Sequence, residues 1–285
     1  MYKDLGVSYS YDIGLDNRLP ALIPTHNAKN LLLHSFNIMK NAGCDQIIYP
    51  IVIDDRSNED IKKLCDKYGF GYIRIDHDLK FNYSINMNIG SKIIYSLGVE
   101  TVLFLNNDCY LYDKKKLETF IERHFNNNSD LSCPKLVYPP VRYSFKKDVS
   151  KQNTVQFGGG YFVQNNLMFP DHFGRGFSPN NPLVNIDKKN TYWLTGAMNL
   201  INLDKFISIG CYDIELDGAF QDVFLSLMFK QQQLNTWYFG QDIDFYHDET
   251  TTRMNEWLNN GQNSVIKYRQ KISNINSKKY KIENE

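Results

Sequence analysis

The sequence has no excess of charge of either sign. Its 285 residues contain 32 Lys and Arg and 32 Asp and Glu, so the formal net charge at pH 7 is zero. A protein that binds by neutralising a phosphate backbone normally carries a basic excess. Duplex nucleic acid is therefore disfavoured as a bulk electrostatic partner, although a local basic patch remains an open alternative.

Paired cysteines and long apolar runs are also missing. The cysteines are odd in number and contain no CxxC pair, which excludes a disulfide framework and a zinc site of the usual spacing and indicates a reducing compartment. No run approaches the ~18 apolar residues of a membrane helix. Because the first residues lack an apolar core, we expect no signal peptide. We expect a soluble cytoplasmic protein, with peripheral contact at the inner membrane face as an open alternative.

The first half of the chain alternates apolar strands with helical patterns. Such alternation predicts βαβ units and an α/β fold with a mostly parallel central sheet flanked by helices. The predicted strands are Leu19–Ile23, Gln46–Ile53, Tyr72–Ile75 and Thr101–Leu105, and the predicted helices are Ala28–Met39, a helix capped by Ser57 that runs to Tyr68, and Ser84–Leu97.

From about Leu131 the pattern changes to a smaller mixed half. Residues 165–190 are rich in Gly, Pro and Asn and predict a long loop, which in a compact domain is usually functional or mobile. We expect the last residues, 254–285, to form a basic helical tail that is either partly frayed or a surface for an anionic acceptor or membrane. The remaining predicted elements are strands at Lys135–Tyr138, Val155–Val163, Met198–Ile201 and Trp237–Phe239 and a helix at Gln221–Gln233.

Three polar clusters directly follow apolar strands. They are Thr25–Asn27, the pair Asp54 and Asp55, and Asn106–Asp108. Open parallel sheets bind ligands at the carboxyl ends of their strands, so the clusters are expected to converge on one edge. The alternative is that Asp and Asn simply begin turns there.

Several side chains suit catalysis at such an edge. Asp55 could accept hydrogen bonds from a nucleobase N–H or ribose hydroxyls, and Asp108 could bind a hard divalent cation. His247, as a second ligand, would favour Mn²⁺ somewhat over Mg²⁺, unless this histidine is structural. Asp222 opens an amphipathic helix, where a carboxylate is either a general base or only a helix-start residue stabilised by the dipole.

A tryptophan stands before a run of small residues. Trp193 precedes Thr195–Ala197, where small side chains permit close approach of the backbone to a ligand. The indole could then cover a sugar face. The alternative is ordinary packing in the core.

An ordered set of motifs between Leu19 and Arg253 resembles one family. The set resembles family 2 glycosyltransferases of GT-A fold, and most closely their rhamnosyltransferase-type branch. Each motif is weak alone, but their order and spacing make the set specific. The motifs are Ile23–Asn27 (IPTHN), Val52–Ser57 (VIDDRS), Asn88–Gly90 (NIG), Leu105–Asp108 (LNND), Trp193–Ala197 (WLTGA), Ile209–Asp213 (IGCYD), Gln221–Asp222 and Tyr246–His247.

This resemblance implies an inverting transfer from a nucleotide-diphosphate sugar to an acceptor hydroxyl on a glycan or glycolipid. Asp222 would be the general base, and Asp108 and His247 would hold Mn²⁺ or Mg²⁺. It also implies one catalytic domain over 1–253, with a nucleotide-sugar-binding half at about 19–130 and an acceptor half at about 131–253. The expected nucleotide-sugar contacts are Pro24, Thr25, Asn27, Asp55, Arg56, Asn88 and Asn107, and the expected sugar or acceptor contacts are Trp193, Gly196, Ala197 and Gln221.

Two residues depart from the family pattern and keep alternatives open. Asn106 stands where the metal-binding motif has its first Asp, and Gln221 stands where a Glu normally precedes the base. A nucleotide-sugar-binding protein with decayed chemistry is one alternative, and transfer to a hydroxymethylated base in nucleic acid is another. A nucleotidyltransferase would need a phosphate-cradling loop after the first strand, yet Pro24–Asn27 contains no glycine.

Overall fold

The computed structural model describes residues 6–141, 151–163, 166–167, 169–216, 219–249 and 257–276. Its strands are β1 (Ser8–Asp12), β2 (Leu19–Thr25), β3 (Ile48–Asp55), β4 (Gly71–Asp76), β5 (Thr101–Leu105), β6 (Cys109–Tyr110), β7 (Leu131–Val137), β8 (Val155–Phe157), β9 (Gly160–Phe162), β10 (Pro170–His172), β11 (Asp187–Lys189), β12 (Met198–Asn202) and β13 (Thr236–His247). Its helices are α1 (Lys29–Asn41), α2 (Ile61–Tyr68), α3 (Tyr83–Ser96), α4 (Lys114–Asn126), α5 (Leu203–Ser208), α6 (Gln221–Gln231) and α7 (Trp257–Asn276).

One sheet of 11 strands runs through both halves of the chain, in the order β1-β4-β3-β2-β5-β12-β7-β13-β11, with β6 and β8 off this path. The segment β4-β3-β2-β5 is parallel, whereas β12 is antiparallel to β5 and β7. The predicted α/β fold, with helices flanking a mostly parallel first half and a mixed second half, is confirmed.

Close packing of α3 on the sheet depends on a glycine. A Cβ atom at Gly90 would lie 2.4 Å from the side-chain atom Cδ1 of Ile53 and 3.2 Å from its Cγ1, so any larger residue would force the Ile53 side chain to move. Pro50 is compatible with its buried strand because the β3–β4 pairing begins one residue later, at Ile51. The predicted strands of this half are all present, with Thr101–Leu105 exact and the ends of the others shifted by at most two residues.

The predicted cap of α2 is wrong. The helix begins at Ile61, and Asp60 caps it by accepting a hydrogen bond from the Lys63 backbone N–H at 3.0 Å. Ser57 instead accepts a hydrogen bond from the backbone N–H of Asn27 at 2.8 Å. Its hydroxyl therefore joins the ends of β2 and β3 rather than starting a helix.

The second half contains more structure than predicted. The strand expected over Val155–Val163 is broken at Gly159, whose φ of +108° turns the chain so that β9 pairs with β10 in a separate two-stranded sheet. The segment expected to be a long loop contains β10 and β11 within its described residues, and β13 extends well beyond the predicted Trp237–Phe239.

A buried lysine holds this long segment against the sheet. Nζ of Lys135 donates to the carbonyl oxygens of Pro179 at 2.7 Å and Gly240 at 2.9 Å, and to Oδ1 of Asn185 at 2.9 Å. Burial lowers the pKa of Lys135, and these three oxygens compensate for its lost hydration.

The C-terminal helix α7 packs against the second half of the chain. The Tyr268 ring stacks on Phe220, with centroids 4.8 Å apart, and Lys271 pairs with Asp213 at 2.6 Å. The described part of the predicted tail is therefore docked, while 254–256 and 277–285 lie outside the described residues. Among the described helices, none has the length and apolar character needed to cross a bilayer.

Candidate active site

The three polar clusters meet at the carboxyl edge of the parallel strands. Thr25 pairs with Asp54 across β2 and β3, and Nδ1 of His26 lies 2.6 Å from the backbone oxygen of Asp55. The Asn107 amide donates to the Thr25 hydroxyl at 3.4 Å, which brings in the third cluster.

The two neighbouring aspartates of β3 have different surroundings. Asp54 is buried, and its carboxylate accepts hydrogen bonds from the Ser57 backbone N–H at 3.0 Å, the Tyr72 hydroxyl at 2.7 Å and Nη1 of Arg74 at 3.0 Å. All three donors belong to the protein framework. Asp54 therefore ties β3 to β4 and to the turn that follows.

Asp55 contacts side chains from α3 and from the loops that follow β3 and β4. It is fully buried, and its carboxylate lies 2.8 Å from Nδ2 of Asn86, 3.2 Å from Nε of Arg56 and 3.2 Å from Nε2 of His77. His77 is also buried, and within the described chain neither of its ring nitrogens has a hydrogen-bond partner. The sequence reasoning missed Asn86 and His77, although amides at 86 and 88 in an apolar helix were a usable signal.

Two residues predicted to contact the nucleotide sugar, Arg56 and Asn88, also hold loops in place. Arg56 has a φ of +44° and donates to the carbonyl oxygens of His77, at 2.8 Å, and Leu79. Asn88 donates to the backbone oxygen of Tyr212 at 2.8 Å and accepts from its N–H at 2.9 Å. These bonds use one donor and one acceptor position of the Asn88 amide, and its contact with a nucleotide sugar stays a prediction.

Two further predicted nucleotide-sugar contacts, Pro24 in β2 and Asn27 just after it, differ in exposure. Pro24 is buried within the strand, whereas Asn27 is exposed after it with a φ of +48°. The Asn27 amide oxygen accepts from the backbone N–H of Asn58 at 2.8 Å. Asn27 thus braces the loop after β3 and remains accessible to a ligand.

Asp108 and His247 come together as a candidate cation site. Both are buried, and Nε2 of His247 lies 3.4 Å from Oδ1 of Asp108. Cys109 lies opposite His247 in the β6–β13 pairing, and ligand atoms of the three residues lie within 4.8 Å of one another. Burial raises the pKa of the Cys109 thiol well above its ordinary value, and the thiol donates to the Ala197 carbonyl at 3.3 Å. A protonated thiol is a poor ligand, so the carboxylate and the imidazole are the two groups that fit a divalent cation.

Asp222 is held in place by backbone N–H groups. It is half-buried in the first turn of α6, and its two oxygens accept from Gly196 N at 2.9 Å and Val223 N at 2.8 Å. A Cβ at Gly196 would lie 3.2 Å from Cβ of Asp222, so glycine allows this close contact. A carboxylate has about four acceptor positions, and capacity therefore remains for a further donor.

The small residues after Trp193 connect Asp222 to the cation pair. Gly196 binds Asp222, and the carbonyl of the next residue, Ala197, accepts from the backbone N–H of Asn106 at 2.8 Å. Asn106 stands two residues before Asp108. The structure therefore joins the candidate base and the candidate cation ligands through one short segment.

The two other predicted acceptor contacts have contrasting environments. Trp193 is only 3% exposed, packs against Phe157 and His172, and donates its indole N–H to the Tyr161 carbonyl at 3.1 Å. Core packing accounts for Trp193, and nothing in its contacts supports a sugar platform. Gln221 is buried beside Asp222, and its Oε1 has no hydrogen-bond partner among the described residues.

A charged group beyond His247 was not foreseen from the sequence. Glu249 accepts from the Tyr138 hydroxyl at 2.7 Å and from Nη1 of Arg175 at 2.9 Å. Burial acts to raise the pKa of Glu249, but the charge and hydrogen bonds of Arg175 outweigh it and bring the pKa to about 2. Glu249 follows the end of β13 at His247, and no strand periodicity in the sequence places it.

Residues 21–180, more than half of the chain, match the family model described as glycosyl transferase family 2. The chain belongs to glycosyl transferase family 2. The family expected from the motifs is therefore confirmed. Among curated proteins, none matches the chain significantly.

Solved structures resemble this chain in fold. The mannosyltransferase PcManGT from Pyrobaculum calidifontis, in complex with GDP-Man and Mn²⁺, has a TM-score of 0.57 and 10% identity over 90% of this chain and 64% of its own. Residues 1–349 of S. aureus TarS, in complex with UDP-GlcNAc, give a TM-score of 0.53 and 13% identity over 80% of this chain and 58% of that one. This family 2 chain thus spans about 60% of the TarS structure first matched. At these identities the likeness shows the GT-A fold alone.

Proposed function

We propose that this chain transfers a sugar from a nucleotide-diphosphate sugar to an acceptor hydroxyl by a metal-assisted single displacement with inversion. The observation that carries the proposal is the connection of Asp222 to the Asp108–His247 pair through Gly196 and Ala197. An inverting displacement needs a base on one side of the sugar and positive charge at the leaving group on the other. In this chain the candidate base and the candidate cation ligands belong to different segments, which the backbone of Gly196 and Ala197 connects.

Each group has a defined task in this scheme. Asp108 and His247 would hold Mn²⁺ or Mg²⁺, which supplies the positive charge that a departing diphosphate requires. Asp222 would accept the proton of the acceptor hydroxyl as that oxygen attacks the anomeric carbon. The backbone N–H groups of Gly196 and Val223 keep its carboxylate oriented.

The donor would lie along the strand ends, with its nucleoside near Thr25, Asn27 and Asp55. Relatives of the same fold bind GDP-Man and UDP-GlcNAc, which supports this class of donor. The rhamnosyltransferase-type branch, a glycan or glycolipid acceptor, a single catalytic domain over 1–253 and a cytoplasmic location remain predictions. No observation favours a nucleic-acid acceptor, and the formal net charge of zero disfavours it.

A donor screen tests the proposal without knowledge of the acceptor. The full chain is incubated with UDP-, GDP- and dTDP-sugars and Mn²⁺, and released nucleoside diphosphate is measured. We expect slow hydrolysis of one donor class, and its loss on chelation or in Asp108→Ala. Donor binding without turnover of any sugar would instead support the decayed binding protein.

A further inference from the structure

A continuous series of polar contacts leads from Arg175 to the candidate cation site. Nη2 of Arg175 lies 2.8 Å from Nδ1 of His172, which lies 3.2 Å from Nε2 of Gln156. Oε1 of Gln156 lies 3.3 Å from Nδ1 of His247, whose Nε2 faces Asp108. Gln156, only 1% exposed, is therefore the link between the long segment after β9 and the cation pair.

Arg175 sets the direction of these hydrogen bonds. A guanidinium group only donates, so Nδ1 of His172 must accept and carries no proton. The backbone oxygen of Gln156 also lies 3.1 Å from this nitrogen, but a proton there would point at the Arg175 donor. Burial and the Arg175 charge both lower the pKa of His172, in agreement with a neutral ring.

The same logic orients the Gln156 amide. The group that faces the unprotonated nitrogen of His172 must be the NH₂, so the amide oxygen faces His247. A carboxamide oxygen only accepts, and Nδ1 of His247 therefore carries the ring proton. In the neutral ring Nε2 is then a bare nitrogen that points at the Asp108 carboxylate.

The outer end of the series is anchored as well. Arg175 donates to both oxygens of Glu249, at 2.9 and 3.2 Å, and to the Tyr138 hydroxyl at 2.8 Å. The guanidinium group is therefore fixed on the side away from His172. Orienting a metal-ligating histidine through its second nitrogen is a general way to raise its affinity for a cation.

We propose that Gln156 is a positioning residue that fixes His247 as the Nδ1–H tautomer and so keeps Nε2 free to bind a divalent cation together with Asp108. The inference rests on the metal-assisted function proposed above. Without the Gln156 oxygen, the His247 ring is free to carry its proton on Nε2 and donate it to Asp108. His247 and Asp108 would then be hydrogen-bonded to each other, and a cation would have to displace the proton between them.

The tautomer is measurable in the metal-free full chain by long-range ¹H–¹⁵N correlation spectra of ¹⁵N-labelled histidine side chains. His247 is assigned from the signal lost in His247→Gln, at a pH where its ring is neutral. We expect Nδ1–H in the wild type and in Gln156→Glu, which retains the acceptor oxygen. We expect Nε2–H in Gln156→Met, which removes it. An Nε2–H wild type would overturn the proposal whether or not the variants fold.

Binding of MnCl₂ alone, followed by the electron paramagnetic resonance signal of free Mn²⁺, gives a second readout. We expect Gln156→Met to bind about 10–100-fold more weakly and Gln156→Glu to stay within about threefold of the wild type. Equal affinities in the wild type and Gln156→Met would contradict the proposal.

A matched control is available at a second buried histidine. Nδ1 of His124 lies 2.8 Å from the Ser132 hydroxyl, far from the cation pair in the sheet, so Ser132→Ala removes a similar partner. We expect Mn²⁺ binding to be unchanged in Ser132→Ala. If Ser132→Ala lost as much Mn²⁺ affinity as Gln156→Met, the loss in Gln156→Met would reflect general destabilisation and the proposal would be wrong. The expected tautomer and Mn²⁺ results without donor hydrolysis would uphold the role of Gln156 and refute only the proposed transferase.

Discussion

The two regions of the candidate site use their polar atoms differently. In the region around β3, Asp54 accepts three hydrogen bonds from the protein and Asp55 accepts two, and the Asn88 amide both donates to and accepts from the Tyr212 backbone. In the region around α6 and β13, the described contacts leave Gln221 Oε1 without a hydrogen-bond partner and hold Asp222 only by backbone N–H groups. Asp54 is therefore a framework residue of the first region, whereas Asp222 in the second region retains acceptor capacity for a substrate.

Asp222→Asn is the variant with the largest expected effect, and it tests the second region. The amide keeps the volume and an oxygen for the Gly196 N–H, but it does not take up a proton at neutral pH. We expect the transfer rate to fall by about 10²–10⁴-fold with nucleoside-diphosphate binding nearly unchanged, and a smaller loss of thermal stability because the amide NH₂ cannot accept the Val223 N–H. The rate is measured with the donor identified by the screen.

Asp204→Asn is the control for this change, because Asp204 is an exposed aspartate in the first turn of α5. It should leave the rate unaltered. A fully active Asp222→Asn enzyme would remove the general-base assignment.

Asp54 tests the other side of the comparison. Asp54→Ala leaves Arg74, Tyr72 and the Ser57 N–H without their buried acceptor. We expect a loss of about 2–4 kcal/mol in the free energy of unfolding, since the cost is that of orphaned buried donors. Urea denaturation measures it.

The matched variant is Asp76→Ala, which removes an exposed partner of the same arginine, 2.9 Å from its Nε. An exposed pair contributes only about 0–1 kcal/mol. Equal losses in the two variants would show that Asp54 is not the framework residue described above.

The free energy of unfolding also depends on pH through a buried histidine that lies outside both regions. Burial lowers the pKa of His124, on α4, from 6.5 to about 4, so the unfolded chain binds more protons between these values. Stability therefore falls as the pH drops below about 6.5. We expect a loss of about 2 kcal/mol between pH 7 and 5 from this residue.

Urea denaturation at pH 7, 6 and 5 measures this slope, which should become shallower in His124→Gln and keep the part that His172 contributes, since burial lowers the pKa of His172 too. The window is suitable because the Glu249 carboxylate, with a pKa of about 2, changes its contribution only at lower pH. An identical slope in wild type and variant would refute the assignment to His124.

The sequence predicted the first region better than the second for a physical reason. Parallel strands buried on both faces are continuous apolar runs, as in Thr101–Leu105, and Asp or Asn marks their ends. The second region depends on contacts between distant segments. Lys135 is typical of an exposed strand position in sequence, yet three oxygens hold it in the interior.

The same limit explains individual errors. Ser57 is followed by a plausible helix, but the nearer Asp60 caps it. Trp193 lies beside a segment of small residues, which suggested a ligand, whereas its partners Phe157 and His172 place it in the core. The role of Gln156 depends on Arg175 and His247, and no local pattern connects these three residues.

The most direct test of the central claim is calorimetric titration of UDP and GDP, with and without Mn²⁺, into the wild type and Asp108→Ala. The account predicts that one nucleotide binds the wild type in a Mn²⁺-dependent manner, and that chelation and Asp108→Ala each weaken this binding about tenfold or more. Nucleotide binding that neither chelation nor Asp108→Ala changes would contradict the account.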